Sequence, residues 1–161
     1  MALALAHNGA TVFILGRRLP NLLSISQEAA PGTIIPIECD CTDKSSLTSA
    51  TAQIASQTGF INLLCVNHGI VGPKNTDLAA KEGKPAPSIA EVQEALWRTS
   101  VEDFSRTSEV NVGSVYFTTV AFLGLLDEGN RRGNVRTTSQ VVVTGAIGGF
   151  YRTFTINGLG E

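Results

Sequence analysis

Charge is scarce in this sequence, and neither sign dominates. Of 161 residues, 12 are Lys or Arg and 14 are Asp or Glu, which gives a formal net charge of −2 at neutral pH. This balance lacks the basic excess that is typical of nucleic-acid-binding proteins. No apolar run approaches the roughly 18 residues that would span a bilayer. We therefore expect neither a nucleic-acid partner nor a membrane segment.

Cysteine is also scarce, with Cys39, Cys41 and Cys65 as its three occurrences. Cys39 and Cys41 lie two residues apart in a predicted strand, but no His or further Cys is close enough in sequence to complete a zinc site. We therefore predict no metal centre. Reduced cysteines that pack as small apolar side chains favour a cytoplasmic location.

Apolar residues make up much of the chain, since 43% of it is hydrophobic and 16% is charged. This composition indicates a globular protein rather than a disordered one. A chain of this length can form one domain and bury roughly 70% of the surface that its unfolded form exposes. We predict a single domain over residues 1–161, with no internal repeat.

Apolar runs alternate with segments that have helical caps and stops. The predicted strands are 11–16, 33–39, 60–67 and 140–144. The predicted helices are 2–8, 20–28, one capped by Thr42 or Asp43 that ends near Gln57, 88–97, and a long one from Ser100 to about Glu128. Because the strands are apolar on both faces, they suit a parallel sheet covered by helices on both sides. The pattern predicts an α/β, doubly wound fold.

Glycine and proline mark the connections. Pro31-Gly32 predicts a turn, and residues 70–87 read as a surface loop insertion. Residues 129–138 read as a polar, basic turn. Little periodicity follows Gly145.

The first chemical motif is Gly16-Arg17-Arg18, directly after an apolar strand. Glycine lets a ligand approach the backbone closely, and a guanidinium can hold a phosphate with two parallel hydrogen bonds. The motif therefore suits the ribose end of a phosphorylated dinucleotide. The alternative is that both arginines are the solvated start of a helix.

Four further segments follow in order: Glu38-Cys39-Asp40-Cys41-Thr42-Asp43, Leu63-Leu64-Cys65-Val66-Asn67-His68-Gly69-Ile70, Val110-Asn111-Val112-Gly113, and Val141-Val142-Val143-Thr144-Gly145-Ala146-Ile147-Gly148-Gly149. Their order and spacing resemble those of the short-chain dehydrogenase/reductase family, whose members have a Rossmann fold that binds NAD(P). The resemblance extends from Ala2 to Gly149.

The resemblance implies a set of functional residues. Arg17 lies where a basic residue favours NADP(H), and Asn111 lies where the family's catalytic Asn holds a water of the proton relay through its backbone carbonyl. The implied cofactor-binding residues are Arg17, Arg18, Asp40, Cys41, Asn67 and Gly69. Asp40 could instead cap a helix, and Asn111 could be a packed polar residue. His68 departs from the family pattern, and we interpret it as a satisfied or half-exposed histidine rather than a general base.

Three features of the family pattern are missing from the sequence. Ala146 occupies the position of the catalytic Ser, and a methyl group cannot donate a hydrogen bond to a substrate. No Lys follows Lys84, so the Tyr-x-x-x-Lys pair is absent, and Tyr151 comes too early to belong to it. The glycine-rich phosphate turn is also absent. We expect a partial sheet that lacks the first, central strand and the C-terminal part, in a chain truncated at both ends.

The resemblance implies an oxidoreductase that transfers hydride between NADP(H) and a small carbonyl or secondary alcohol. We interpret this chain as a fragment and expect from it neither turnover nor tight binding of the cofactor. The alternative is a non-catalytic binding or regulatory module that pairs with a full-length homologue, and a homo-oligomer is compatible with either. A hydrolase is disfavoured because the sequence lacks a Gly-x-Ser-x-Gly elbow.

Overall fold

A computed structural model describes residues 1–30, 33–73 and 87–146. In chain order these residues form α1 (Ala2–His7), β1 (Val12–Gly16), α2 (Leu19–Ser26), β2 (Ile34–Glu38), α3 (Lys44–Gln57), β3 (Leu63–Val66), α4 (Ile89–Trp97), α5 (Val101–Ser108), a π-helical segment (Glu109–Gly113), α6 (Ser114–Arg132) and β4 (Gln140–Val143). Each predicted strand is present, within three residues at either end. The predicted turn at Pro31-Gly32, most of the insertion at 70–87, and the chain after Ala146 lie outside the described residues.

The strands form two separate parallel pairs. β1 pairs with β2 from Val12 opposite Ile34 to Gly16 opposite Glu38, and β3 pairs with β4 from Leu63 opposite Gln140. Across the described residues, no strand connects β1 with β3. The chain therefore forms the partial, doubly wound parallel sheet that the sequence predicts. β1 and β3 do not close against each other across the position of the missing central strand.

The register shows which backbone groups lie at the open edges. Val12 donates its backbone N–H to the Thr33 carbonyl at 2.7 Å, and Gln140 donates to the Asn62 carbonyl at 3.0 Å. Because successive residues of a strand turn their backbone groups to opposite sides, alternate residues face away from the paired strand. The residues that face the gap are Phe13 and Leu15 in β1, and Leu63 and Cys65 in β3.

Side-chain caps and glycines define the helix ends. Asp43, rather than Thr42, caps α3, because its Oδ1 accepts the Ser45 backbone N–H at 2.9 Å. Gly59 follows α3 with φ +77°, a conformation that favours glycine. At the start of α4, Ser88 and Glu91 bond each other reciprocally in a capping box.

The long predicted helix differs from the structure in two ways. Ser100 caps it as predicted, but the π-helical segment interrupts it, and α6 continues to Arg132. The predictions of an end near Glu128 and of a turn from Gly129 are therefore wrong. Gly129 lies inside the helix. A Cβ at this position would collide with the Ile61 carbonyl oxygen, so the position requires glycine. This glycine permits close packing of α6, and the helix ends at Gly133, where φ is +60°.

The core lies between the strand pairs and two helices, α3 and α6. Its buried members are Ile37, Cys39, Leu47, Ala50, Ile54, Leu64, Val66, Phe122, Leu125 and Leu126. Because these residues come from β2, β3, α3 and α6, the two helices join the strand pairs that share no backbone hydrogen bonds. β4 contributes nothing to this core, and all four of its residues are exposed.

The continuous helical run Val101–Arg132 is long and apolar enough to cross a membrane by length and composition, with a mean hydropathy of 1.4. The same run places Phe122, Leu125 and Leu126 in the core. The core helix of a protein without a membrane segment can be equally long and apolar, so this run does not by itself indicate a membrane span. The absence of a membrane segment stays a prediction from the sequence.

Candidate functional site

The carboxyl ends of β1, β2 and β3 meet at one cleft. Its cavity volume is about 140 Å³, and it is partly open to solvent. Ligands of open α/β sheets bind at this edge of the strands. The polar residues that line the cleft include Arg17, Asp40, Cys41, Thr42, His68 and Arg106.

The turn after β2 fixes the Asp40 carboxylate. Asp40 Oδ1 accepts the Thr42 backbone N–H at 2.9 Å and the Thr42 hydroxyl at 2.7 Å. These two bonds hold the pKa of Asp40 below its ordinary value, and the charges of Arg17 and Arg106 lower it further. Asp40 is therefore ionised at neutral pH. The alternative role as the cap of α3 is wrong, since Asp43 fills it.

Two hydrogen-bonding groups of this turn are available to a ligand. Asp40 Oδ2 and the Cys41 backbone N–H have no hydrogen-bond partner in the part of the chain that the structure describes. One is an acceptor and the other a donor, on adjacent residues. This arrangement can bind a group that has a donor next to an acceptor.

Three arginines lie near the cleft, and they differ in position. Arg17 lines it at the end of β1, whereas Arg18 precedes α2 and is not among the lining residues. Arg106, which the sequence analysis missed, lines the cleft from α5 and pairs with Glu109 at 3.0 Å. The sequence signal that could have indicated Arg106 is its spacing, since it lies four residues, about one helical turn, before Val110 of the Val110-Asn111-Val112-Gly113 motif.

Asn111 uses its side chain to hold the turn after β3. Its Oδ1 accepts the Ile70 backbone N–H, and its Nδ2 donates to the Ile70 carbonyl, both at 2.9 Å. A Cβ on Gly69 would lie 3.2 Å from Asn111 Oδ1, so this close approach favours glycine. The Asn111 backbone lies in the π-helical segment, a kind of helical irregularity that often occurs at functional sites.

Other predicted residues of this turn differ in their surroundings. Asn67 is exposed and is not among the residues that line the cleft. His68 lines it and is partly buried, and its Nε2 lies 2.5 Å from Ser114 Oγ. Burial lowers the pKa of His68, so the imidazole is neutral at neutral pH. The interpretation of His68 as a half-exposed histidine agrees with its partial burial.

The two cysteines beside Asp40 interact with each other. A hydrogen bond from the Cys41 thiol lowers the pKa of Cys39 to about 7, and the same contact raises the pKa of Cys41. Cys39 is 1% exposed, so its sulfur belongs to the core at the base of the cleft. All three cysteines are free.

Beyond β4, Ala146 is exposed. Its methyl group offers no hydrogen bond at the position where the sequence pattern has a Ser. The following segment, Ile147-Gly148-Gly149, and Tyr151 lie outside the described residues.

Comparisons with known proteins agree with this geometry. The family model for short chain dehydrogenase matches residues 1–151. The short-chain dehydrogenase/reductase PhomF' of Diaporthe leptostromiformis is 43% identical over 150 residues, which are 92% of this chain and 50% of PhomF'. The chain thus spans about half the length of this curated relative.

Two solved structures share the fold. One is a 3-ketoacyl-(acyl-carrier-protein) reductase from Brucella melitensis complexed with NADH, with a TM-score of 0.62 and 22% identity over 88% of this chain and 48% of that one. The other is an alcohol dehydrogenase from Thermococcus sibiricus complexed with 5-hydroxy-NADP, with a TM-score of 0.67 and 20% identity over 98% of this chain and 57% of that one.

Proposed function

The chain belongs to the short-chain dehydrogenase/reductase family, and on that premise we propose that its cleft holds the adenosine end of NADP(H). One observation carries this proposal: Asp40 Oδ2 and the Cys41 N–H, which have no partner among the described residues, belong to adjacent residues of a cleft that Arg17 and Arg106 also line. An adenine presents an amino donor next to a ring-nitrogen acceptor, which is the complementary pattern.

The residues present fit one part of the cofactor. A cavity of about 140 Å³ is smaller than the roughly 300 Å³ at which whole-ligand pockets begin, so it suits a base and part of a ribose. Arg17 and Arg106 supply the positive charge that a 2′-phosphate requires. Gly16 ends β1 without a carboxylate that would repel this phosphate. These features favour NADP(H) over NAD(H), and structural neighbours are known with either type of cofactor.

We further propose that a complete protein of this kind acts on a small carbonyl or secondary alcohol, and that the bound cofactor supplies or accepts the hydride. In this chain, Asp40 and Cys41 bind and orient the base, the arginines hold the phosphate, and Asn111 fixes the wall of the cleft through Ile70. Ala146 cannot bond a substrate oxygen, and no Lys follows Lys84 to assist a Tyr. We therefore expect no hydride transfer by the 161-residue chain.

Calorimetric titration of the chain with adenosine 2′,5′-bisphosphate and with 5′-AMP tests the cofactor preference. We expect weak binding of both, with the bisphosphate bound more tightly. Arg17→Gln should reduce that preference about tenfold or more, because it removes a charged hydrogen bond. Arg131→Gln is the matched control, since Arg131 pairs with Asp127 and Glu128 at the end of α6.

Equal affinity of the wild-type chain for both nucleotides would contradict the NADP(H) assignment. NADPH oxidation with a panel of ketones tests the second part of the proposal. Measurable turnover by the purified chain would contradict the expected lack of activity.

A second candidate function, pairing with another polypeptide, is favoured by a stripe of exposed apolar side chains on the π-helical segment and α6. Val112 is 68% exposed and Tyr116 63%, and Val120 and Leu123 continue the stripe. Light scattering over a concentration series would detect association. Tyr116→Glu should weaken such association, whereas Gln53→Glu adds the same charge on α3 and should not. A monomer at all concentrations, alone and with a full-length homologue, would contradict this candidate.

A further inference from the structure

The hydrogen bonds around Ser114 determine where His68 carries its proton. Ser114 Oγ is 2.6 Å from the Val110 carbonyl oxygen and 2.5 Å from His68 Nε2. A serine hydroxyl has one hydrogen, and a carbonyl oxygen can only accept, so that hydrogen goes to Val110. His68 Nε2 must therefore donate to Ser114. Because the ring is neutral, its other nitrogen, Nδ1, is an unprotonated acceptor.

His68 also connects two parts of the cleft. It belongs to the turn after β3, and Ser114 is the first residue of α6, directly after the π-helical segment. The bond from His68 to Ser114 and the two bonds from Asn111 to Ile70 attach this turn to the helix at both ends. Ser114 is 2% exposed, so the bond to it is shielded from water.

The Nδ1 atom is the part of His68 that the protein itself does not use. No hydrogen-bond partner for it occurs among residues 1–30, 33–73 and 87–146, although His68 is one of the residues that line the cleft. The other ionisable groups that line the cleft are Arg17, Arg106, Asp40, Cys39 and Cys41. Two of these are cations suited to phosphate. His68 adds a neutral acceptor, which suits a hydroxyl donor and not an anion.

We propose that His68 is a positioning residue that acts as a neutral, two-ended hydrogen-bonding group. Its Nε2–H holds the turn after β3 against Ser114, and its Nδ1 accepts a hydrogen bond from a ribose hydroxyl of the bound nucleotide. The second half rests on the proposed binding of the cofactor's adenosine end. Sequence patterns alone do not reveal this role, because it follows from the partner of the opposite ring nitrogen.

Nitrogen-15 NMR of the histidine ring tests the first half directly. We expect the wild-type chain at neutral pH to show His68 protonated at Nε2 and bare at Nδ1. Ser114→Ala removes the acceptor and should give a mixture of the two tautomers. A proton on Nδ1 in the wild-type chain would overturn the proposal.

Binding of 5′-AMP and 2′,3′-dideoxy-AMP tests the second half. We expect the wild-type chain to prefer 5′-AMP by about two- to tenfold, the range of one neutral hydrogen bond. His68→Gln carries an amide N–H at the reach of Nε2 but no acceptor at Nδ1, so it should keep the turn and lose this preference. His68→Asn can place an acceptor near the Nδ1 position and should retain part of it.

An unchanged preference in His68→Gln would overturn the ribose contact. The two proposals fail in different ways. If the wild-type chain binds no adenine nucleotide, the proposed function and the ribose contact are both contradicted, while the tautomer still decides the positioning role. If it binds 5′-AMP and the dideoxy analogue equally, only the ribose contact fails.

Discussion

At the scale of single residues, two neighbouring aspartates have distinct roles. Asp43 caps α3 through Ser45, whereas Asp40 accepts two bonds from Thr42 with one oxygen and leaves the other unpartnered in the described structure. Sequence proximity alone does not separate these roles, since either residue could precede the helix. The difference arises from which backbone N–H each carboxylate can reach once the turn has formed.

Exchanging each aspartate for asparagine should separate the two roles. Asp40→Asn keeps an acceptor for Thr42 but replaces the other oxygen with an amide donor, so we expect about a tenfold loss of affinity for 5′-AMP. Asp43→Asn removes the same charge and remains a good helix cap, so affinity and melting temperature should stay unchanged. Titration calorimetry and thermal melts measure both. Equal losses of affinity in the two variants would argue for a general charge effect instead.

The lowered pKa of His68 predicts a pH dependence of stability. As the pH falls from 6.5 to 5, the unfolded chain, with a histidine pKa of about 6.5, takes up a proton before the folded chain does. The free energy of unfolding should therefore decrease with falling pH in this window. The lowered pKa of Cys39, about 7, affects the pH dependence of stability above this window, and the lowered pKa values of Asp40, Asp43 and Glu91 affect it below this window.

Urea unfolding at several pH values checks this prediction. His68→Gln has no group that titrates at this position, so its stability should change less over the same range. Parallel curves for wild type and variant would show that burial of His68 does not control stability there.

Several residues that the sequence proposed for the site line the cleft, and the differences from the cleft lining have physical causes. The motifs gave Arg17, Asp40, Cys41 and Gly69, because strand ends carry backbone and side-chain groups to a common edge. They missed Arg106, which reaches the cleft because of the path of α5. They also included Asn67, which is exposed and is not among the residues that line the cleft, so its role in cofactor binding stays a prediction.

At the scale of elements, α6 shows how packing overrides local signals. Gly124 and Gly129 lie in the same helix, yet a Cβ at Gly124 would meet nothing within 4 Å, whereas one at Gly129 would collide with the Ile61 carbonyl. A glycine near a run of polar residues resembles a helix stop in sequence. The caps at Asp43 and Ser88 were predictable because they depend on neighbours in the chain, but Gly129 depends on a contact 68 positions away.

Alanine at the two glycines should have opposite effects on stability. Gly129→Ala should destabilise the protein by about 1–3 kcal/mol or more, because the backbone of Ile61 must move. Gly124→Ala should be neutral or stabilise by up to about 1 kcal/mol, since alanine is the better helix former. Chemical denaturation measures both. A loss of stability in Gly124→Ala as large as in Gly129→Ala would contradict the proposed packing constraint.

The π-helical segment could not be predicted from periodicity. Residues 100–128 read as one helix, because a π-helical segment of 5 residues is too short to establish a period of its own. In the structure this segment places Asn111 against Ile70 and Ser114 against His68. The tertiary contacts thus supply information that the local pattern lacks.

At the scale of the whole molecule, the gap between β1 and β3 is the feature that most affects stability. Two helices hold the strand pairs together through side-chain packing, while no strand of residues 1–30, 33–73 or 87–146 bonds the backbone groups at the gap. Buried backbone groups without partners cost roughly 1–3 kcal/mol each, a large share of the 5–15 kcal/mol that stabilises a domain. The family resemblance predicted this gap, because the family's first strand, which the predicted elements lack, lies at the centre of the doubly wound sheet.

Hydrogen exchange of individual amides should show which edge each residue faces. Amides of Phe13, Leu15, Leu63 and Cys65 should exchange quickly, because they face the gap. Those of Ile14 and Leu64, which bond the paired strands, should exchange much more slowly. NMR of the 161-residue chain in deuterated buffer measures both sets. Equal protection of the two sets would mean that another strand fills the gap.

The strand edges at the gap also affect how long the purified chain remains free of aggregates in storage. In the part of the chain that the structure describes, β1 and β3 each have one edge at the gap, and such an edge of one molecule can template an edge of the next without a symmetry that closes the assembly. Such growth is open-ended, so its products would be fibrous aggregates rather than oligomers of fixed size. Shelf life should therefore shorten steeply as protein concentration rises, and a short peptide that blocks one edge should extend it.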